Sequence, residues 1–271
     1  MTEPLLRWQH FPAGPNGFFR APVLIAGPTE AVLVDAGFTL SDGRALAKAV
    51  QASGKRLTTI YVSQSDPDYY FSLGPLTAAF PDARVMAAAE TVAAIRMTVE
   101  KKLDTWSPQL KDNGPQHLAD VVIPDVCNDS ALTVDGETIE IVEAGGLANR
   151  RYLWVPALQG IFGGVLLFSG VHVWTADTPG KERANWIANL EKMAASEPAV
   201  VVPGHMALDA ATDLSAIGHT RAYLVAFEEE LARAKDSSAL IAAMNARFPG
   251  LGMDVALNIG AKVATGELKW S

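Results

Sequence analysis

Two carboxylates, an amide and a phenol stand close together in residues 64–69, whose sequence is QSDPDY. They follow an apolar run at 60–62, and a run of β-branched and aromatic residues predicts a buried strand. Pro67 then predicts a turn rather than the interior of a helix. Because α/β folds gather ligands and reacting groups at the ends of strands, residues 64–69 are the predicted functional site.

The carboxylates of Asp66 and Asp68 lie two residues apart at this strand end. If both face one cleft, their charges repel each other, and the pKa of one of them rises unless a cation lies between them. The pair therefore predicts either a bound cation or a carboxyl group that keeps its proton.

Hydrophobic patterning predicts the elements that position this site. A hairpin is predicted over 18–37, strands over 58–62 and 83–87, and helices over about 42–53, 70–79 and 88–104. Further along, the pattern predicts a hairpin turning at 135–136, two strands within 150–168, a helix of about 17 residues after Pro179, a strand ending at His205, and helices over about 211–235, 237–246 and beyond 253. Residues 104–125 show no clear period and predict a long loop, which often serves as a lid or binding loop. Two similar successions of elements predict two sheets packed face to face and covered by helices, in one domain over 1–271.

Composition excludes several classes of function. The chain has 271 residues, of which 49% are hydrophobic and 19% charged, as in an ordinary globular protein. Its net charge of −8 argues against nucleic acid or an anionic membrane as the main partner. Cys127 is the single cysteine, and its acidic neighbours disfavour a thiolate nucleophile. With no signal-peptide pattern and no apolar run of about 18 residues, the cytoplasm is the expected location.

The order of three motifs resembles the metallo-β-lactamase superfamily: LVDAG at 33–37, the acidic segment at 64–69, and VVPGH at 201–205. The resemblance covers about 17–206. It implies an α/β fold, namely a four-layer αβ/βα sandwich, here with a helical C-terminal extension over about 208–271. It also implies two metal ions, most often zinc, and hydrolysis of esters, lactams, lactones, thioesters or phosphoesters by a metal-bound hydroxide.

The metal-binding motif of that family, His-x-His-x-Asp-His, aligns with residues 64–69. Asp68 matches it, and the final histidine of the family matches His205. The other five ligand positions hold Gln64, Asp66, Tyr69, Gly146 and Val165. Two of seven positions thus keep the family residue, and Asp66 is another possible ligand. The resemblance therefore implies that a conventional two-zinc centre is absent.

Two kinds of chemistry remain open for these residues. Asp66, Asp68 and His205, with His172 and water as further ligands, could hold a single ion, and such an oxygen-rich set suits manganese, iron or magnesium at least as well as zinc. Alternatively, one carboxyl group acts as a general acid or base together with His205. On either interpretation Asp68, His205, Asp66 and Tyr69 are the predicted catalytic residues, and Tyr69 could donate a hydrogen bond to an oxyanion.

Three further residues are predicted to bind the substrate. The amide of Gln64 can donate a hydrogen bond to a carbonyl group or water. His172 and Trp174 alternate in VHVW, so they share one face of an extended segment that borders the active site in the family. Structural roles compete with each assignment: Asp68 as a turn cap, Asp66 as a turn initiator, Tyr69 as core packing, and the two histidines as residues held by their neighbours.

Two functions follow from these predictions. The first is a hydrolase-like enzyme acting on a small ester, lactone or thioester, with a site that holds one metal ion or none. The second is a non-hydrolytic, metal-free member that keeps the cleft to bind a small molecule. The expected partner is a small molecule in either case, and a homodimer is compatible with the sequence.

Overall fold

The computed structural model describes residues 5–270 and contains two large β-sheets. The first sheet has the order β1-β2-β3-β4-β5-β6 and the second the order β12-β10-β9-β8-β7, while β11 and β13 form a two-stranded sheet. The strands are β1 (Arg7–His10), β2 (Val23–Ala26), β3 (Glu30–Val34), β4 (Arg56–Tyr61), β5 (Arg84–Ala88), β6 (Asp125–Cys127), β7 (Ala131–Val134), β8 (Glu137–Glu143), β9 (Arg151–Val155), β10 (Gly160–Phe162), β11 (Phe168–Ser169), β12 (Val200–Val202) and β13 (His205–Met206).

Seven α-helices cover the sheets within residues 5–270. They are α1 (Leu40–Ala52), α2 (Leu73–Ala79), α3 (Ala89–Leu110), α4 (Gly180–Ala195), α5 (Ser215–Leu231), α6 (Ser237–Arg247) and α7 (Asp254–Ala264). None of the helices in this described part combines the length and the apolar composition needed to cross a membrane.

Alternation along the strands divides the core into two clusters. On β2, Val23 and Ile25 pack with Leu153 and Phe162 of the second sheet, while Leu24 packs into the cluster that contains the helices. Successive side chains of a strand point to opposite faces, so each sheet buries one face on the other sheet and one under helices. The predicted αβ/βα sandwich is confirmed.

The structure differs from the predicted elements at the start of the long loop. Helix α3 continues to Leu110 and includes Pro108, whereas the sequence predicted a loop from 104. Leu103 and Ser107 extend the buried face of the helix by one turn, and Trp106 packs against Phe18 and Phe38 at ring distances of 5.3 and 5.4 Å. These tertiary contacts outweigh the single hydrogen bond that a proline removes near a helix end.

The second difference between the structure and the predicted elements concerns short strands. Strands β1 and β6, which lie at the two edges of the first sheet, were not predicted. The apolar run over 158–168 is split between β10 of the second sheet and β11 of the small sheet, with Gly163 and Gly164 between them at positive φ. The glycines allow this change of direction, and β11 then pairs in parallel with β13, where His205 lies.

Candidate functional site

A 3-10 turn over Pro67–Tyr69 presents Asp68 and Tyr69 beyond the end of β4. Pro67 suits the first position of such a turn because its φ is fixed and its missing N–H is not needed there. The backbone N–H of Tyr69 donates to the carbonyl oxygen of Asp66 over 3.0 Å. Asp68 and Tyr69 are both buried, so this turn places a carboxyl group and a phenol inside the protein.

His205 reaches the same place from β13. Its Nδ1–H donates to the carbonyl oxygen of Phe18 over 2.8 Å, and its ring stacks on Phe168 with the centroids 5.1 Å apart. Its Nε2 lies 3.6 Å from Asp68 Oδ2 and 3.4 Å from the hydroxyl of Tyr69. The structure therefore brings together three of the four predicted catalytic residues.

Arg20 is a functional-site residue that the sequence did not predict. Its side chain is fully buried, with the guanidinium carbon 3.3 Å from the centroid of the Tyr69 ring. Its Nη2 donates to Asp35 Oδ2 over 3.0 Å, its Nη1 donates to the carbonyl oxygen of Gly204, and its Nε is 3.7 Å from Asp68 Oδ2. A guanidinium ion thus lies between two buried carboxyl groups.

Asp35, from the LVDAG motif, fixes that arrangement. Its carboxylate accepts hydrogen bonds from Arg20, from the backbone N–H of Ser63 over 2.7 Å and from the hydroxyl of Ser63 over 2.8 Å. The same hydroxyl accepts from the backbone N–H of Gly164, which lies just after β10 of the second sheet. This buried network connects the ends of strands from both sheets to Arg20.

Burial sets the protonation states around Arg20. It raises the pKa of Asp68 to about 7, although the guanidinium of Arg20 opposes that rise. It also lowers the pKa of His205 to about 3, and the positive charge of Arg20 adds to this effect. Since Nδ1 carries the proton given to Phe18, His205 is a neutral imidazole whose Nε2 carries a lone pair and faces Asp68.

The pKa of Asp68 makes the stability of an Asp68→Asn variant depend on pH. The folded chain holds the Asp68 proton up to about pH 7, but the unfolded chain releases it near the ordinary value of 3.8. Between these values the wild type loses stability as the pH rises, and the asparagine variant does not have this loss. We expect the free energy of unfolding of D68N, relative to wild type, to rise from pH 4 to pH 7 by up to about 1.4 kcal/mol per pH unit. Urea titrations of both proteins measure this difference, and a difference that is constant or falls with pH would contradict it.

Asp66 and Gln64 lie in the loop that leads from β4 to the turn carrying Asp68. Asp66 is partly exposed and faces Lys102, with its Oδ1 3.5 Å from the lysine Nζ. Gln64 is buried, and its Oε1 accepts from the backbone N–H of Ser65 over 2.8 Å and from Asn149 over 3.4 Å. Its Nε2 has no hydrogen-bond partner among residues 5–270. That donor fits the predicted role of Gln64 in ligand binding, which stays a prediction.

The donor set does not fit the metal centre that the resemblance implies. Gly146 and Val165 provide no side-chain ligand, and a Cβ at Gly146 would lie 2.6 Å from the amide nitrogen of Asn185. The hydroxyl of Tyr69 donates to the carbonyl oxygen of Gly164 over 3.0 Å, so its proton is already used. Among the described residues there is no group of three His, Cys, Asp or Glu side chains placed to hold an ion. The predicted ligand set of Asp66, Asp68 and His205 is therefore not assembled by this geometry.

His172 and Trp174 have different surroundings. His172 is buried against the C-terminal helices, with Nδ1 3.0 Å from the hydroxyl of Tyr223 and Nε2 3.8 Å from Asp254. These contacts support the structural alternative rather than substrate binding. Trp174 donates from its Nε1 to Asp177 over 3.0 Å and packs edge-on against Trp270 at 5.4 Å.

A cavity of about 400 Å³ opens beside Trp174 and Asp177. Its wall consists of the loop before α4, the first residues of α4 and the C-terminal end of the chain, and it is lined by Thr175, Ala176, Asp177, Thr178, Pro179, Gly180, Arg183, Val263, Ala264 and Trp270. Asp66 acts electrostatically on Asp177, whose pKa is raised mainly by burial. None of the four predicted catalytic residues is among the residues that line this cavity.

Comparison with known proteins agrees with the fold and the motifs. Residues 16–146 match the metallo-β-lactamase superfamily. The fold resembles a β-lactamase domain protein from Burkholderia ambifaria (TM-score 0.64, 14% identity, 98% of this chain and 85% of that chain) and a metallo-β-lactamase family protein from Thermus thermophilus (TM-score 0.63, 19% identity, 97% and 92%). A metallo-β-lactamase from Pontibacter korlensis is also similar (TM-score 0.57, 15% identity, 83% and 97%). A search of curated proteins found no match. Residues 16–146 thus carry the sequence match to this superfamily, and the chain as a whole shares the fold of these three proteins.

Proposed function

We propose that this chain is a metal-independent member of the superfamily that binds a small molecule beside its cleft and does not hydrolyse it. One observation carries the proposal: the guanidinium of Arg20 lies between Asp35 and Asp68, beside the two residues that match the family's metal ligands. A buried carboxylate that is already compensated by a fixed cation has little need of a metal ion. The remaining donors do not complete a ligand set within residues 5–270.

The cavity next to Asp177 is the proposed ligand site. Its volume of about 400 Å³ is within the usual range for small-molecule pockets, roughly 300–1,000 Å³. The indole of Trp270, which is 42% exposed, offers an apolar surface, and the carboxylate of Asp177 offers a hydrogen-bond acceptor. This combination fits an amphipathic ligand with an aromatic part and a hydrogen-bond donor.

Binding to this cavity is tested with a library of small aromatic amines and amides. We expect compounds that bind to raise the melting temperature of the wild type and to change its tryptophan fluorescence, because Trp270 and Trp174 are in contact. Trp270→Ala should weaken binding of these compounds by at least about tenfold, the loss of one buried aromatic contact. Leu268→Ala is the matched control, since Leu268 is a similarly exposed apolar residue of the same segment. Hits that bind the W270A variant as well as the wild type would contradict the assignment of the cavity.

A second candidate function is metal-free hydrolysis of an ester, lactone or thioester. It is favoured by one arrangement, in which neutral His205 Nε2 faces the carboxyl group of Asp68 at 3.6 Å inside a buried site. Such a pair can relay a proton as a general acid and base. Turnover of an ester and lactone panel in the presence of EDTA, abolished by Asp68→Asn, would favour this candidate over simple binding. Absence of turnover with wild-type protein would remove it.

A further inference from the structure

The positive charge in this site is the guanidinium of Arg20, a side chain of the protein itself. Asp68 Oδ2 lies 3.7 Å from Arg20 Nε and 3.6 Å from His205 Nε2. The Arg20 Nε has no hydrogen-bond partner within residues 5–270, although it faces Asp68. The charge of the guanidinium, rather than a close hydrogen bond, is therefore what it supplies to Asp68.

The backbone holds Arg20 firmly in this place. Arg20 forms an isolated antiparallel bridge with His205, and the N–H of Ala21 donates to the carbonyl oxygen of Gly204 over 3.1 Å. On the other side, the N–H of Met206 donates to the carbonyl oxygen of Phe19 over 2.8 Å. Residues on both sides of Arg20 are thus bonded to the segment that carries His205, so that the arginine and the histidine are positioned together.

We propose that Arg20 is a built-in cation that replaces the charge of a metal ion in this cleft. The side chains of Asp35, Asp68 and His205 are not placed to hold an ion while the guanidinium lies between the two carboxyl groups. Removal of Arg20 is then expected to let these side chains move inward around a divalent ion. The inference rests on the proposed metal independence, because it explains how the fold tolerates the buried carboxyl groups of Asp35 and Asp68 without an ion. Arg20 is a positioning residue in this account and takes part in no bond-making step.

The charges around Arg20 support the proposal that its guanidinium takes the place of a metal ion. With Arg20 in place, a divalent ion near Asp68 would be repelled by the guanidinium at short range in a buried site. Without Arg20, the carboxylate of Asp35 and the carboxyl group of Asp68 are left buried without their cation. Carboxylate oxygens and an imidazole nitrogen are suitable ligands for zinc or manganese. A cavity of about 330 Å³ lies against Arg20 and is lined also by His10, Phe11, Pro22 and Gly37.

The test compares Arg20→Gln with wild type in thermal unfolding, each with EDTA, with zinc chloride and with manganese chloride. We expect R20Q to lose roughly 10 °C in melting temperature with EDTA. Zinc or manganese should recover part of that loss in R20Q and leave the wild type unchanged. Arg20→Lys keeps the charge and should show no recovery by either metal. The R20Q/D68N double variant lacks one proposed ligand and should show none either.

Several results would overturn the inference. An R20Q variant as stable as the wild type, or one that neither metal stabilises, contradicts the role of Arg20 as a built-in cation. The proposed function is then judged separately, by ligand binding to the cavity and by the metal content of the wild type. Zinc or manganese that stabilises the wild type as strongly as R20Q contradicts the proposed metal independence itself. If R20Q does not fold with EDTA, expression with added zinc is expected to yield folded protein, and the R20Q/D35N variant, without the uncompensated carboxylate, is expected to fold without zinc. Failure of zinc to yield folded R20Q would again contradict the inference.

Discussion

Replacing Asp35 with asparagine is expected to lower the free energy of unfolding by about 3–5 kcal/mol, because the buried guanidinium of Arg20 then loses its closest carboxylate. Asp35 is 1% exposed and Arg20 is 0% exposed, so water cannot take over the lost interaction. Asparagine has almost the same shape as aspartate, and it tolerates the left-handed backbone that Asp35 adopts at a φ of 64°. The substitution therefore changes the charge with little change in packing.

A matched exposed pair provides the control for Asp35→Asn. Arg221 and Glu191 also form an arginine–carboxylate pair at 3.0 Å, but their side chains are 50% and 56% exposed. Since exposed pairs contribute little, Glu191→Gln should remain within about 0.5 kcal/mol of the wild type. Urea unfolding of D35N, E191Q and wild type measures both effects. If D35N loses no more stability than E191Q, the buried Arg20–Asp35 ion pair does not stabilise the folded protein as we infer.

Gly204→Ala is expected to destabilise the protein by about 3 kcal/mol or more. A Cβ at this position would lie 1.9 Å from the carbonyl oxygen of Gly164 and 3.0 Å from Arg20 Nη1. The first of these contacts is with backbone, which cannot move aside without disturbing the chain between β10 and β11. Glycine at 204 is thus required for the guanidinium and the segment of His205 to pack together, and its replacement also displaces the hydrogen bond from Arg20 to the Gly204 carbonyl oxygen.

Gly218→Ala is the control for this substitution. Gly218 is an exposed residue of helix α5, and a Cβ there would have no atom within 4 Å among the neighbours that the structure describes. Alanine at an exposed helical position is expected to stabilise the protein by roughly 0.5–1 kcal/mol. The two glycine variants should therefore move the melting temperature in opposite directions. Equal and small shifts would show that the region around Gly204 adapts more readily than the contact distances indicate.

The fold could be predicted because its signals are local or lie in the order of motifs. Apolar alternation marked the strands, and the hairpin at Asp135 and Gly136 shows the two positive φ angles that its sequence indicates. Alignment of the motifs also selected Asp68 and His205, which are distant in the sequence but have Oδ2 and Nε2 only 3.6 Å apart in the folded chain. The predictions that were wrong, such as the end of α3, concern elements that depend on tertiary contacts. Local sequence patterns do not show these contacts.

Arg20 could not be predicted by reasoning from the ligand motif. The motif directs attention to residues 64–69 and His205, whereas Arg20 lies near the start of the sequence and reaches Asp68 only in the folded chain. One signal was present: a single charged residue inside the run FFRAPVLIA, directly before the buried strand β2. A charge that enters the core must have a buried partner, and Asp35, which follows the apolar residues of LVDAG, was a candidate for that partner.

The surroundings of His172 could not be predicted either, and its role in substrate binding stays a prediction. The alternation of residues 171–174 predicts that His172 and Trp174 share one face, but it does not reveal what covers each side chain. Helices α5 and α7 cover His172 through Tyr223 and Asp254, while Trp174 remains beside the cavity. The C-terminal helices thus enclose His172, and their packing is a long-range property of the fold that a local pattern does not show.

Elemental analysis of the purified wild-type protein, after expression in medium containing zinc, manganese and iron, tests the absence of a catalytic metal centre most directly. We predict a metal content far below one ion per chain, and no change in that content or in the melting temperature after treatment with EDTA. One or two ions per chain that are lost in Asp68→Ala and His205→Ala variants would contradict the account.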